Sequence, residues 1–260
     1  MMVKVKKINA FSCYFVILLT FIGLVSCKSK SYSNYEVKGS RINVNENYNS
    51  DSSIEQFVAP YRAYINKDLD SVLAYCPETL DKSKGKWETN IGLFMANVTY
   101  ALANPIFEKR EHKSIDVCLL NHGGIRSIIP KGNVTSRTAY NVMPFENSVI
   151  VIGLSGLKIR ELASYVISEK KPHPLHGLKI YVNNKLEITK LEINNNPIDD
   201  TKIYYVATSD YLANGGDNMS FFKESQEKYD LDYKLRNLLI DYFKKVDTIE
   251  LFSEKIVIEE

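Results

Sequence analysis

The chain has 260 residues, 45% of them hydrophobic and 25% charged, with 33 basic and 31 acidic side chains and a formal net charge of +2. That is ordinary globular composition and supports one domain of good size plus appendages. The near-balanced charge gives no global attraction to a nucleic acid polymer or an anionic membrane surface, so any anion specificity has to be local.

The first residues place Lys4, Lys6 and Lys7 ahead of an apolar stretch from Phe11 to Val25 that stops at Ser26-Cys27. This is the pattern of a secretory signal, and its apolar core is short of the roughly 20 residues that span a bilayer. Leu24-Val25-Ser26-Cys27 resembles the bacterial lipoprotein box. Residues 1–27 are therefore expected to be a lipoprotein signal peptide ending at a lipidated Cys27, with a signal anchor or a simple cleaved signal as the alternatives. Acyl chains add about 0.8 kcal/mol of membrane affinity per buried CH₂, so several of them anchor a protein without a spanning helix. The expected location is extracytoplasmic, on the membrane. Cys76 and Cys118 remain after processing. Two thiols permit one disulfide, and the apolar run around Cys118 equally permits a buried, inert thiol.

Residues 28–51 are Ser/Asn-rich without aliphatic periodicity and read as a tether, leaving residues 52–260 as the domain. Ile54, Val58, Tyr61, Tyr64, Ile65, Leu69, Val72 and Leu73 recur at helical spacing, which predicts an amphipathic helix from Ser52 or Ser53 towards Ala74. A second helix is predicted from Asn90 to about Leu102, stopped by Asn104-Pro105. Ser114 to Leu120 reads as a buried strand, Ser136 to Val142 as a short helix capped by Thr135, and Ser148 to Leu154 as another buried strand. A helix from Gly156 to Ser168 follows. An antiparallel pair of strands, Leu178–Val182 and Leu186–Ile193, and a strand from Lys202 to Ala207 come next. The pattern ends with an amphipathic helix from Leu231 to Lys245 and a strand within Thr248–Ile258. The fold class is α/β (α+β), a mixed β-sheet covered by helices.

Three segments carry candidate chemistry. Asn121-His122-Gly123-Gly124-Ile125-Arg126 leaves the end of a predicted strand, where open α/β sheets bind ligands. Paired glycines allow positive φ and close backbone approach, and Arg126 offers a planar fork to a phosphate or carboxylate. Alone this is a weak motif, since a glycine turn with a surface arginine reads the same. Tyr204 to Asn218 again runs a strand into paired glycines, Gly215 and Gly216, followed by Asp217. Between them, Pro144 precedes Phe145 in a loop ahead of a strand, and Tyr211 is a second loop aromatic.

These segments, CLLNHGGIR, GNVTSRTAYNVMPFENSVIVIGLSG and YYVATSDYLANGGDN, resemble the C-terminal, substrate-binding domain of the 5′-nucleotidases, two-domain extracellular or periplasmic nucleotide phosphohydrolases. The resemblance covers about Ile54 to Lys245. It implies that Phe145 and Tyr211 sandwich a nucleobase, that Asp217 accepts hydrogen bonds from ribose hydroxyls, and that Arg126 faces phosphate. It further implies a nucleoside contact for Asn121, a base-edge contact for Asn147, and a pocket floor shaped by Gly123, Gly124, Gly215 and Gly216. A packed position under a loop is the alternative for the two aromatics, and a helix cap the alternative for Asp217.

Two departures from the family pattern bear on the ligand. His122 stands where the family has a first glycine, which is expected to narrow the pocket. Leu93, Asn97 and Tyr100 stand about where the family carries polar and cationic residues in the preceding helix, so a nucleoside or monophosphate is favoured over a di- or triphosphate. The family's hydrolytic chemistry belongs to a metallophosphatase domain with two metal ions, and no Asp–His clusters of that kind occur in this sequence. His173 and His176 lie in a proline-broken loop, KPHPLHG, that does not read as a metal pair, and GLSGL around Ser155 lacks the spacing of a nucleophile elbow.

No catalytic residue and no metal or other cofactor is therefore expected in this chain. The leading expectation is the substrate-recognition half of a split nucleotide phosphohydrolase, with divalent metals in a separately encoded metallophosphatase. A stand-alone nucleoside- or nucleotide-binding lipoprotein and a structural lipoprotein with a decayed pocket are the alternatives.

Overall fold

A computed structural model describes residues 9–25, 37–45, 48–225 and 227–260, and the chain divides into two compact units, Met1–Ser52 and Ser53–Glu260. In the first, helix α1 (Ala10–Val25) has 16 largely apolar residues. At 1.5 Å per residue it reaches roughly 24 Å, short of a hydrocarbon core about 30 Å thick. No helix among the described residues is long and apolar enough to cross a membrane. The lipidation expected at Cys27, and Lys4, Lys6 and Lys7, lie outside the described residues. So does much of the tether, whose residues 37–45 and 48–51 form neither helix nor strand.

In chain order the rest holds α2 (Ser52–Leu69), β1 (Val72–Cys76), α3 (Asn90–Glu111), β2 (Val117–Leu119), β3 (Gly132–Thr135), α4 (Ser136–Val142) and β4 (Ser148–Ser155). Then come α5 (Gly156–Glu169), β5 (Leu175–His176), β6 (Leu178–Val182), β7 (Ile188–Ile193), β8 (Asn196–Pro197), β9 (Ile203–Ser209), α6 (Asp210–Ala213), β10 (Lys228–Lys234), α7 (Leu235–Lys245) and β11 (Val257–Glu259).

Most expected elements are present, and the differences have physical causes. Helix α2 stops at Leu69 because Val72 pairs with Thr135 and Ala74 with Val134, which turns VLAYC into a strand with Ala74 and Cys76 buried. None of α2's residues is buried, and Phe57, Tyr61 and Tyr64 are exposed, so its apolar stripe does not face the core. Arg137 ties its end to the domain through Asp70 and Asn66. Helix α3 runs through Pro105 instead of ending there. The proline removes one backbone hydrogen bond. The extension past it buries Phe107 fully between the rings of Tyr205 and Tyr229, at 5.4 and 5.3 Å.

Residues 231–234, expected as the start of the last helix, belong instead to strand β10 (Lys228–Lys234), in which Tyr229, Leu231 and Tyr233 alternate inward at period two. Strand β11 is confined to Val257–Glu259, and Thr248 makes a single bridge to Tyr75. Three sheets replace the one expected: β1-β3, a mixed five-stranded sheet ordered β10-β4-β9-β2-β5, and a four-stranded sheet ordered β11-β6-β7-β8.

The five-stranded sheet is the centre, and strand periodicity divides its side chains between two cores. Cys118, Val149, Val151 and Ala207 pack into one with α3 and α7 residues such as Phe94 and Phe243. Val117, Leu119, Ile150, Ile152 and Val206 pack into the other, with Leu162 and Val166 of α5 and the inner side of the four-stranded sheet. With both faces covered, the inner strands read as continuous apolar runs, as SVIVIGL does.

Candidate functional site

Strand directions bring the three candidate segments together. β2 runs parallel to β9, and β4 runs antiparallel to β9, so the C-terminal ends of β2 and β9 meet the N-terminal end of β4 at one edge. β10 is antiparallel to β4 and delivers Lys234, and hence the start of α7, to the same edge. A cavity of about 300 Å³ opens there, at the lower end of the size range of small-molecule sites. Asn121, Gly123, Gly124, Arg126, Phe145, Asn147, Tyr211 and Asp217 line it, with Leu120, Met143, Ser209 and Leu235.

Gly215 and Gly216 do not line it. Gly216 sits against Tyr211, where a Cβ would lie 2.4 Å from that ring, and Gly215 faces the Lys223 side chain. Leu235 escapes the sequence reading because it looks like mid-helix; it reaches the cavity as the first residue of α7, immediately after β10. Leu93, Asn97 and Tyr100 of α3 are not in the cavity. Leu93 is core, Asn97 donates to Glu254, and Tyr100 packs on the ring of His176 at 4.5 Å.

The 121–126 segment folds into a short 3₁₀ turn in which the Gly124 N–H donates to the Asn121 carbonyl at 3.1 Å. Neither Gly123 nor Gly124 takes a positive φ. Glycine at 124 makes room for the Asn121 side chain instead, since a Cβ there would lie 2.6 Å from Asn121 Oδ1 and displace it. His122 does not narrow the cavity. Its backbone N–H donates to His173 Nδ1 at 3.3 Å, and its ring Nδ1 lies 3.3 Å from the Pro172 carbonyl. Lys82 Nζ donates to the Ile125 carbonyl at 2.6 Å and fastens the other end of the turn. Burial pushes the pKa of His173 down to about 4, so the imidazole is neutral and its Nδ1 is free to accept.

Phe145 and Tyr211 are 42% and 47% exposed, which removes the packed-under-a-loop alternative. The Arg126 guanidinium lies 5.8 Å from the centroid of the Phe145 ring. Asp217 lies inside a second 3₁₀ turn, with φ 51° and ψ 29°, and does not cap it. Its Oδ1 accepts from Tyr211 Oη at 2.9 Å and its Oδ2 from Asn121 Nδ2 at 2.7 Å, while its carbonyl accepts from Tyr165 Oη at 2.7 Å. Those hydrogen bonds hold a non-glycine residue in a left-handed conformation that costs about 1–3 kcal/mol.

The resulting chemistry is two flat faces, a fixed carboxylate acceptor and a guanidinium around one small cavity. A divalent metal does not fit it: the single carboxylate is already held by two donors, and no group of three or more His, Cys, Asp or Glu side chains among the described residues is placed to hold an ion.

Residues 72–224 match the family described as "5′-nucleotidase, C-terminal domain". The trifunctional nucleotide phosphoesterase protein YfkN of Bacillus subtilis is 30% identical over 181 residues, 61% of this chain and 11% of that protein. An apyrase of Tabanus yao is 27% identical over 160 residues, 54% of this chain and 29% of its own length. The crystal structure of a 5′-nucleotidase precursor from Thermus thermophilus superposes with a TM-score of 0.65 at 23% identity, over 80% of this chain and 42% of that one. The chain thus spans less than a third of these two curated relatives.

Proposed function

Since the chain belongs to the 5′-nucleotidase C-terminal domain family, we propose that its cavity binds a nucleoside or nucleotide and serves as the substrate-recognition part of a nucleotide phosphohydrolase. One observation carries this reading: two half-exposed rings, Phe145 and Tyr211, line the same 300 Å³ cavity as the Asp217 carboxylate. The base stacks against the rings, the ribose diol donates to Asp217 beside Asn121, and Asn147 meets the base edge. A 5′ phosphate reaches Arg126, the one cation lining the cavity among the described residues. One guanidinium suits a nucleoside or monophosphate better than a triphosphate.

Hydrolysis is supplied by a separately encoded metallophosphatase that carries the two metal ions. On this reading the chain works outside the cytoplasm on a lipid anchor at Cys27, which the lipoprotein-box pattern Leu24-Val25-Ser26-Cys27 supports. Calorimetry of residues 52–260 with adenosine, its phosphates and other nucleosides tests the binding site. Saturable heat with at least one of them is expected, and no heat with any leaves only a structural role. Phosphate release by the purified chain with added divalent metal, free of contaminating enzyme, would overturn the division of labour. A metallophosphatase that gains turnover when mixed with this chain would support it.

A further inference from the structure

Arg236, the second residue of α7, is 6% exposed and lines no part of the cavity. A cation in the first turn of a helix opposes the helix dipole, so α7 itself gives no reason for one there. The guanidinium is spent on the loop that carries Phe145. Nη1 donates to the Pro144 carbonyl at 3.1 Å, Nη2 donates to Glu146 Oε1, and the group lies 4.2 Å from the centroid of the Tyr140 ring. Its neighbours act on the same loop. The Leu235 N–H donates to the Asn147 carbonyl at 2.9 Å, and Lys234 Nζ donates to Ser148 Oγ at 2.8 Å.

Arg236 and Leu235 thus hold the backbone on both sides of Phe145, at Pro144 and Asn147, in a stretch with no helix or strand of its own, and Lys234 holds the Ser148 side chain where β4 begins. A planar fork can grip a carbonyl and a carboxylate together, which a lysine ammonium does less well. We infer that Arg236 is a positioning residue: it fixes the Phe145 wall and thereby the width of the gap in which the base stacks. The inference rests on the nucleobase reading. A wall fixed in advance spares the ligand the ordering cost of immobilising that loop, so the effect of Arg236 is on affinity and acts through Phe145.

The test uses the full chain and the variants R236K, E146Q and F145A. Without ligand, hydrogen exchange at Phe145 to Asn147 is expected to speed at least about tenfold in R236K and less in E146Q, with β4 and the rest of α7 unchanged. Adenosine affinity is expected to fall about tenfold in R236K. In an F145A background the same change is expected to add less than about twofold, because the wall it positions is gone. Unchanged loop exchange in both variants, or losses that simply add, would overturn the inference, since a merely structural arginine gives additivity. If R236K does not fold, E146Q decides, because the Glu146 side chain is largely exposed. If the wild-type chain binds no adenosine, the nucleobase reading falls, while loop exchange still decides whether the clamp exists.

Discussion

The hydroxyl of Tyr211 donates to Oδ1 of Asp217 at 2.9 Å and accepts the N–H of the same residue at 3.2 Å, so ring and carboxylate are set as one unit. Ring and hydroxyl should therefore separate on substitution. Phe145→Ala and Tyr211→Ala are each expected to weaken adenosine binding by about 1–3 kcal/mol, the worth of one stacked face. Tyr211→Phe keeps the face and is expected to cost less than about 1 kcal/mol. Calorimetry on the three variants checks this, and an equal loss in Tyr211→Phe and Tyr211→Ala would assign the effect to the hydroxyl instead.

Asp217→Asn replaces an acceptor-only group with an amide that has to face the Asn121 amide. Affinity for adenosine should drop by about 1.5–3 kcal/mol, the range for hydrogen bonds to charged groups. A nucleoside lacking both ribose hydroxyls should bind the variant and the wild type about equally. A drop of the same size for that analogue would show that Asp217 acts on the pocket wall and not on the sugar.

The central sheet was legible because both its faces are covered: SVIVIGL has no polar interruption to blur its length, and Thr135 marks the start of α4, where its N–H donates to Thr138 Oγ1 at 3.2 Å. Errors gathered where tertiary contact outweighs local signal. Pro105 signals a stop, yet burial of Phe107 outweighs it. The stripe on α2 has the right period and no core beneath it among the described residues, because period reports which side is apolar and not what covers it.

The cavity was legible where a residue's type announces its use. Phe145 follows a proline in a loop, Tyr211 stands in the single helical turn of α6 where a loop was expected, and Arg126 follows paired glycines. Its supports were not. Nothing local marks Tyr165, His173 or Arg236, which come from α5, a proline-rich loop and α7 and act through contacts 51 to 92 residues away in the chain.

Stability should depend on pH through the histidines behind the turn. His173 is 4% exposed, and burial lowers its pKa to about 4; burial and nearby Lys82 lower that of His122. Folded values below the unfolded value of about 6.5 mean that the contribution is complete above pH 6.5 and is lost as pH falls towards 4. His173 accounts for at most about 3 kcal/mol of that loss. Denaturant midpoints measured from pH 8 to pH 4.5 should be flat and then decline, and His173→Gln should flatten the decline.

Cys76 and Cys118 are buried free thiols. Burial raises both pKa values, that of Cys118 far above the ordinary thiol range. Neither should react with a thiol reagent in the native protein, and both should react once it is unfolded, with or without prior reduction. A need for reductant before the unfolded chain labels would point to a disulfide between them and a rearranged first core.

The paired glycines that follow α6, Gly215 and Gly216, should fail in different ways. A Cβ on Gly216 would lie 2.4, 2.5 and 2.6 Å from three atoms of the Tyr211 ring, so Gly216→Ala has to displace that ring and with it the hydroxyl on Asp217. Gly216 has no positive φ, so the backbone adds no strain of its own. At Gly215 a Cβ meets the end of the flexible Lys223 side chain, and the burden is the left-handed φ of 84°, which costs a side-chain-bearing residue roughly 1–2 kcal/mol. Gly215→Ala should therefore lower stability by about that amount with adenosine affinity within about threefold of wild type. Gly216→Ala should reverse the pattern, losing about as much affinity as Tyr211→Ala with the smaller change in stability. Paired denaturation and calorimetry on the two variants give the answer, and equal profiles would mean that the Tyr211 wall is not held in place by the glycine beneath it.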